Sequence, residues 1–402
     1  MGYYMPAKDK TGTMQTVYFD YNATTPLDAN VRESMLPFLD EIWGNPSSMH
    51  HVGRQARAQL DEARDRAAKV LGARPSEVVF TAGGTESANL AILGTARLLK
   101  PKGRHIITSE IEHHAVLRCC EHLAEREGFA VTYLPVDREG LVSPDSLIEA
   151  IRPDTILVSI MAANNEIGTI QAVAELGAIC QHRKVVFHTD AVQWLGKEPF
   201  DSIHQFNADL VSICAHKMHG PKGAGALFIK SPLQPNPILM GGSHENERRA
   251  GTENLAVIIG LVEALERFVR HPVFDRDRLA LLTNRLLALI DRLPGVQFVG
   301  SRKRRLMNTL AFVVEGSDSL PLLAGLDLEG ICASSGSACS VGSLEPSHVV
   351  RALGVNKTLA HSLVRFSLGR ESTLVEVEHV ESILPEVIRR AQRKAIGTSV
   401  LR

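Results

Sequence analysis

The sequence predicts an α/β protein: a mostly parallel, seven-stranded sheet flanked by helices, followed by a smaller α+β C-terminal domain. Seven short β-branched runs alternate with helix-length segments through the first two thirds of the 402 residues. The last two runs, 210–213 and 225–229, are joined by a glycine-rich stretch too short for a helical crossover, so one strand should run antiparallel. After about residue 267 this alternation gives way to long amphipathic patterns with a few short strands.

Taken in order, the other predicted strands are 78–81, 105–108, 131–134, 156–161 and 185–189, each bounded by Gly, Pro or polar residues. Helical periodicity covers 54–71, 86–100, 115–127 and 173–183. Beyond Pro272, helices are expected over 275–292 and 375–394, with strands near 296–299, 310–314 and 364–368. The expected organisation is a polar leader over 1–16, a large domain over 17–267 and a small one over 268–402. Met14 is a possible native start.

The net charge of -1, with 44% hydrophobic and 22% charged residues, is an ordinary soluble balance without a global attraction for nucleic acid or acidic membranes. The basic run Arg302 to Arg305 reads as a solvated loop. Six cysteines without a CxxC pair do not make a disulfide framework and point to a reducing compartment. No apolar run approaches the roughly 18 residues of a membrane span, and the polar start lacks a signal peptide's apolar core. The expectation is a cytoplasmic protein. A zinc site from His50-His51 and His113-His114 fails on spacing, since adjacent histidines on a helix diverge.

The chemistry concentrates in 209–223, where an apolar run stops at Lys217 beside His216 and His219, then Gly and Pro. Burial and cationic neighbours favour the neutral amine, a nucleophile toward aldehydes; a surface lysine beside a packed histidine is the alternative. Gly83-Gly84-Thr85-Glu86-Ser87 follows a strand and opens a helix, the form of a phosphate site or simply of a capped turn. Asp190 ends the strand 185–189 at the sheet edge where α/β proteins place ligands, with Gln193 three residues on. A carboxylate there suits a protonated ring nitrogen, or equally a helix cap. Together the phosphate cup, the acid and the lysine match the three handles of pyridoxal 5'-phosphate.

Further motifs run in order along the chain: Tyr18-Phe-Asp-Tyr-Asn-Ala-Thr-Thr-Pro26, Gly44-Asn-Pro-Ser-Ser48, Thr85-Glu-Ser87, Glu112-His113, Asn164-Asn-Glu-Ile-Gly168 and His188-Thr-Asp-Ala-Val-Gln193. They continue with His216-Lys217, Arg249-Ala-Gly-Thr252, Ser334-Ser-Gly-Ser-Ala-Cys339, Ser343-Leu-Glu-Pro-Ser-His348 and Arg365-Phe-Ser-Leu-Gly369. From Val17 to about Arg370 the chain thereby resembles the cysteine desulfurases, the NifS/IscS branch of the class V aminotransferases, which are fold-type-I pyridoxal phosphate enzymes.

The resemblance implies a homodimer that converts L-cysteine to L-alanine and supplies sulfur for iron–sulfur cluster assembly. Lys217 would form the Schiff base with the cofactor and take the substrate's α-proton, with Asp190 on the pyridinium nitrogen and Gln193 on the ring hydroxyl. Gly84, Thr85, His216, Cys214 and the partner subunit's Thr252 would hold the phosphate. His113 would stack on the ring and relay protons, although alone it also reads as a surface residue at a helix start. Asn165 and Arg365 would bind the substrate, Arg365 as a fork for its carboxylate. Cys339, in a loop of small residues expected to be exposed and mobile, would attack the substrate sulfur as a thiolate and carry it as a persulfide. Cys332 reads as a buried structural cysteine.

Some positions depart from the family pattern. Cys214 stands where housekeeping members usually have Ser; with Arg248 to Asn254 it leans toward the nitrogen-fixation branch. Asn246-Glu247 replaces the more usual Arg-Gly. The tail 391–402 lacks the aromatic ending by which relatives dock scaffold proteins, which leaves the sulfur acceptor open. A selenocysteine lyase, or a binding module that has lost the chemistry, are the alternatives.

Overall fold

The computed structural model describes residues 16–336 and 346–398, with side chains described through residue 392. In chain order the strands are β1 (Val17–Tyr18), β2 (Val78–Thr81), β3 (His105–Ser109), β4 (Ala130–Leu134), β5 (Thr155–Ser159), β6 (Val186–Asp190), β7 (Leu210–Cys214), β8 (Gly225–Ile229), β9 (Val296–Val299), β10 (Thr309–Val314), β11 (Ile331–Cys332) and β12 (Val364–Ser367). The large sheet has seven strands in the order β2-β8-β7-β6-β5-β3-β4. Only β8 runs against its neighbours: it pairs antiparallel with β2 and β7, while the other pairs are parallel. The short glycine-rich connection before Gly225 therefore does what its length requires. The central strands β3, β5 and β7 are buried along their whole length, as expected where helices cover both faces.

Helix His51–Leu71 starts earlier than its periodicity suggests because His50 Nδ1 accepts the Gly53 N–H at 3.2 Å, and it ends at left-handed Gly72. It packs against the buried helix Leu255–Phe268. The predicted helix 86–100 is not continuous: Gly84–Asn89 passes through a π turn, Leu90–Gly94, into Thr95–Leu99. Gly94 lies in that turn so close to Asn236 that an added Cβ would stand 2.5 Å from its carbonyl oxygen.

The second sheet is antiparallel, in the order β12-β10-β9, with helices Arg276–Ile290 and Leu374–Thr398 packed nearby. Strand β1 pairs in parallel with β11, and Asp20 bridges to Ser367. The first described residues are thus stitched to the last third of the chain. Two expectations need correction. Cys332 is half-buried rather than buried, because β11 pairs only with the two-residue β1. Arg305 leaves the solvated loop: it is buried, and its Nη1 donates to the carbonyls of Leu306 and Thr309 at 3.3 and 3.2 Å. No helix among the described residues is long and apolar enough to cross a membrane.

Candidate active site

Strands β2, β3, β5, β6 and β7 share one direction, so the residues after their carboxyl ends converge on one side of the sheet. After β7 the chain makes a single 3-10 turn, Ala215–Lys217, and the N–H groups of Met218 and Gly220 both return to Ala215 O at 3.0 Å. Gly220 is required here: a Cβ would stand 2.7 Å from that of Ala215. His219 is left-handed at φ 60°, held by Thr25 Oγ1 on its N–H (2.8 Å) and by Pro26 O at its Nδ1 (2.9 Å). That conformation costs about 1 kcal/mol for a non-glycine residue and is kept two residues from Lys217.

Lys217 Nζ donates to the carbonyls of Asn22 and Ala23, both at 2.7 Å. Burial lowers its pKa to about 8, helped by Arg365 and opposed by Cys214, Asp20 and Asp190. A substantial fraction of the amine is neutral near physiological pH. Asp190 closes β6, one carboxylate oxygen accepting the Val192 N–H at 2.9 Å. Burial raises its pKa to about 6, against the pull of that N–H and of Lys217. Below it His188 is buried between the hydroxyls of Ser159 and Ser212 (2.8 and 2.9 Å), and burial pushes its pKa down to about 3, so it brings no charge.

His113 fits both readings of it. Its Nδ1 caps helix His114–Glu127 by accepting the Ala115 N–H at 3.1 Å, and its ring lines the same cavity as Lys217. Burial, then the nearby Lys217, lowers its pKa to about 4. After β2, Gly83 has φ 149° and Gly84 opens the next helix with no room for a side chain, since a Cβ would meet Val192 Cγ2 at 2.7 Å. Burial raises the pKa of the Cys214 thiol, against the opposing pull of the nearby Gly84 N–H, Lys217 and the His216 N–H.

Arg365 enters from the second sheet. It is 1% exposed; Nη2 pairs with Asp20 Oδ1 at 2.6 Å, Nη1 donates to Asn165 O at 2.7 Å, and Nε has no partner among the described residues. An orphaned donor on a buried guanidinium fits an acceptor brought by a ligand. The Gln193 side chain donates from Nε2 to Asn22 O (2.9 Å) and accepts from Lys197 at Oε1 (2.6 Å).

One cavity of about 220 Å³ gathers Gly84, Thr85, His113, Asn165, Asp190, Gln193, Cys214, His216, Lys217 and Arg365. Thr252 is exposed and not on its wall. Cys339 lies outside the described residues. Of the residues flanking its segment, Ser347 Oγ donates to Glu166 Oε2 at 2.5 Å, and a Cβ on Gly336 would stand 2.6 Å from that same oxygen. Sequence reasoning missed the Asn22 and Ala23 carbonyls, Asp20, and the wall residues Met161, Ala163 and Val192. Asp20, Asn22 and Ala23 lie inside the motif 18–26, the one signal that could have found them.

An amine, a carboxylate and an imidazole lining one cavity, with a side-chain-free cradle at Gly84, are the donor set that pyridoxal phosphate requires, and the residues fit it. Fold and cavity define a fold-type-I pyridoxal phosphate enzyme. The chain belongs to the aminotransferase class-V family, whose model matches residues 17–380. Its place there is among the cysteine desulfurases. The cysteine desulfurase IscS of Dictyoglomus turgidum is 48% identical over 375 residues, covering 93% of this chain and 95% of that protein. The IscS of Methanosarcina thermophila is 46% identical over 376 residues, 94% of this chain and 93% of that protein. Among solved structures, a NifS-like protein superposes with a TM-score of 0.87 at 36% identity, over 94% of this chain and 100% of that one.

Proposed function

We propose that this chain converts L-cysteine to L-alanine in the cavity and passes the sulfur, through a persulfide on Cys339, to an acceptor in iron–sulfur cluster assembly. The observation that carries the reading is Lys217 Nζ in one cavity with Asp190 and Arg365. Bound pyridoxal phosphate supplies an aldehyde for amine capture and a ring that withdraws electrons from a substrate's Cα. The chain's residues do the rest. Lys217 Nζ would hold the group through its aldehyde and serve as the base for the substrate's α-proton, a role suited by a pKa of about 8. Asp190 would hold the ring nitrogen in its protonated form, His113 would hold the ring and move protons, and Gln193 would take the ring hydroxyl. Gly84, Thr85, Cys214, His216 and the partner subunit's Thr252 take the phosphate.

Asn165 and Arg365 would orient the substrate, the Arg365 Nε–H being the guanidinium donor left without a partner among the described residues. The Cys339 thiolate then attacks the substrate sulfur. The bond from sulfur to Cβ breaks with its electron pair left on carbon, protonation there yields alanine, and the sulfur stays on Cys339 as a persulfide. In this reading residues 17–267 form the unit that carries the cofactor and 268–402 the unit that carries Cys339. The enzyme works in the reducing cytoplasm as a homodimer. Support for the dimer is the exposure of Thr252 and of Trp43, Met49 and Met240, the last three at 71%, 89% and 80%. Cys214 and the 248–254 loop favour service to nitrogenase assembly.

The test is sulfide and alanine release from L-cysteine with a reductant, on wild type and Cys339→Ala. Equal amounts of both products from wild type, and neither from a variant that still binds cofactor, are expected. Full activity of the variant sinks the persulfide role, and retention with selenocysteine alone favours a lyase. Light scattering should return about twice 43.9 kDa; a monomer contradicts the shared phosphate site.

A further inference from the structure

We propose that Lys197 is a positioning residue of the cofactor cavity: its amine locks the Gln193 side chain and the Asn22 segment that holds Lys217. The inference rests on reading the cavity as a pyridoxal phosphate site. Lys197 is 1% exposed, and its Nζ donates at 2.6 Å to Gln193 Oε1 and at 2.8 Å to Asn22 Oδ1. Among the described residues no carboxylate is bonded to it; its neighbour Glu198 is paired with Arg276. A buried amine given only amide oxygens is costly to keep, and burial accordingly pushes its pKa well down.

The position of its two partners shows what the amine does. Asn22 O, which can only accept, takes Lys217 Nζ at 2.7 Å and Gln193 Nε2 at 2.9 Å. That carbonyl fixes which end of the Gln193 amide faces it, and Lys197 is the donor found among the described residues for the other end. The second hydrogen on Nε2 is left for the cavity that Gln193 lines. Asn22 is held in turn: its Oδ1 also accepts from Asn308 (3.1 Å) and its Nδ2 donates to Thr309 Oγ1 (2.8 Å). One amine thus braces both the donor offered to a ligand and the carbonyl that anchors Lys217.

The experiment adds pyridoxal phosphate to apoprotein and reads the visible absorbance band and the dissociation constant. Lys197→Met should fold, shift the band and weaken binding roughly tenfold, the effect of one hydrogen bond to a charged ligand. Combined with Gln193→Ala it should add less than it does alone, because only its hold on Asn22 then remains to be lost. A Lys197→Met protein of lower Tm with unchanged band and affinity overturns the proposal, as does an equal effect in both backgrounds. If Lys197→Met does not fold, Gln193→Glu decides: it keeps an oxygen for Lys197 but turns an acceptor to the cavity. A shifted band, weaker binding and, because the new oxygen also opposes the Asn22 carbonyl, a lower Tm are then expected; an unchanged band overturns the proposal. Wild type that forms no band would instead sink the cofactor reading itself.

Discussion

Lys217 shows how one side chain acquires reactivity from its surroundings. Burial takes its pKa down to about 8, and two carbonyls aim its Nζ, so above that pH the amine is neutral and already placed. The rate of cofactor capture by the apoprotein should therefore rise with pH through about 8, and Lys217→Ala should form no visible band with pyridoxal phosphate; both are read by stopped-flow absorbance. Glu112 is the opposite case. It is fully buried, Oε1 accepts from Ser109 and Met161 while Oε2 has no partner among the described residues, and burial raises its pKa to about 8. Between the unfolded carboxyl value of about 4.5 and the folded value of about 8, the folded state holds the proton and the unfolded state does not. The contribution is full below the lower value and lost as pH rises through the upper one. Glu112→Gln should match wild type near pH 5 and exceed it above pH 8 by a few kcal/mol, at about 1.4 kcal/mol per pKa unit. Denaturant titrations at the two pH values check this, and parallel curves would refute it.

At the scale of elements, β8 matters because within the large sheet it alone runs antiparallel, beside the proposed phosphate cradle. Gly225 at its start lies against the turn after β2: a Cβ there would come within 2.7 Å of Gly83 Cα and of Ile213 O, both backbone atoms that cannot swing aside. Gly225→Ala should cost about 1–3 kcal/mol of stability. Because the displaced turn is the cradle, it should also weaken cofactor affinity, measured by equilibrium dialysis, more than a distant core change of equal cost. The alternation of strand and helix was legible for all seven large-sheet strands to within about two residues, since each is a short β-branched run. The break at Leu90–Gly94 was not, because it depends on Gly94 meeting Asn236, remote in sequence.

On the scale of the whole molecule, the segment 17–26 joins the two sheets. β1 pairs with β11, Asp20 holds Arg365, and Asn22 reaches Lys197, Asn308, Thr309 and Lys217. Removing residues 1–26 should abolish cofactor binding and lower the Tm by more than 10 °C, through lost pairing and orphaned buried groups such as Arg365. A thermal scan with and without cofactor tests this, and retained binding would show that the arm is dispensable.

Residue type and order were enough to determine the α/β class and the need for one antiparallel strand at the end of the large sheet, and they singled out Lys217, Asp190 and Gln193, while His113 and Arg365 entered through the family resemblance. The first of these are local facts: β-branched runs, a connection too short for a helix, and a lysine and an acid each placed after a strand. Tertiary structure decided the partners: that Arg365 is already shared between Asp20 and Asn165, that Lys197 sits beneath Gln193, and that Arg305 is buried. Each depends on groups brought together from distant parts of the chain. Hydrogen-bond geometry and desolvation act on that spatial neighbourhood, which residue order alone does not display.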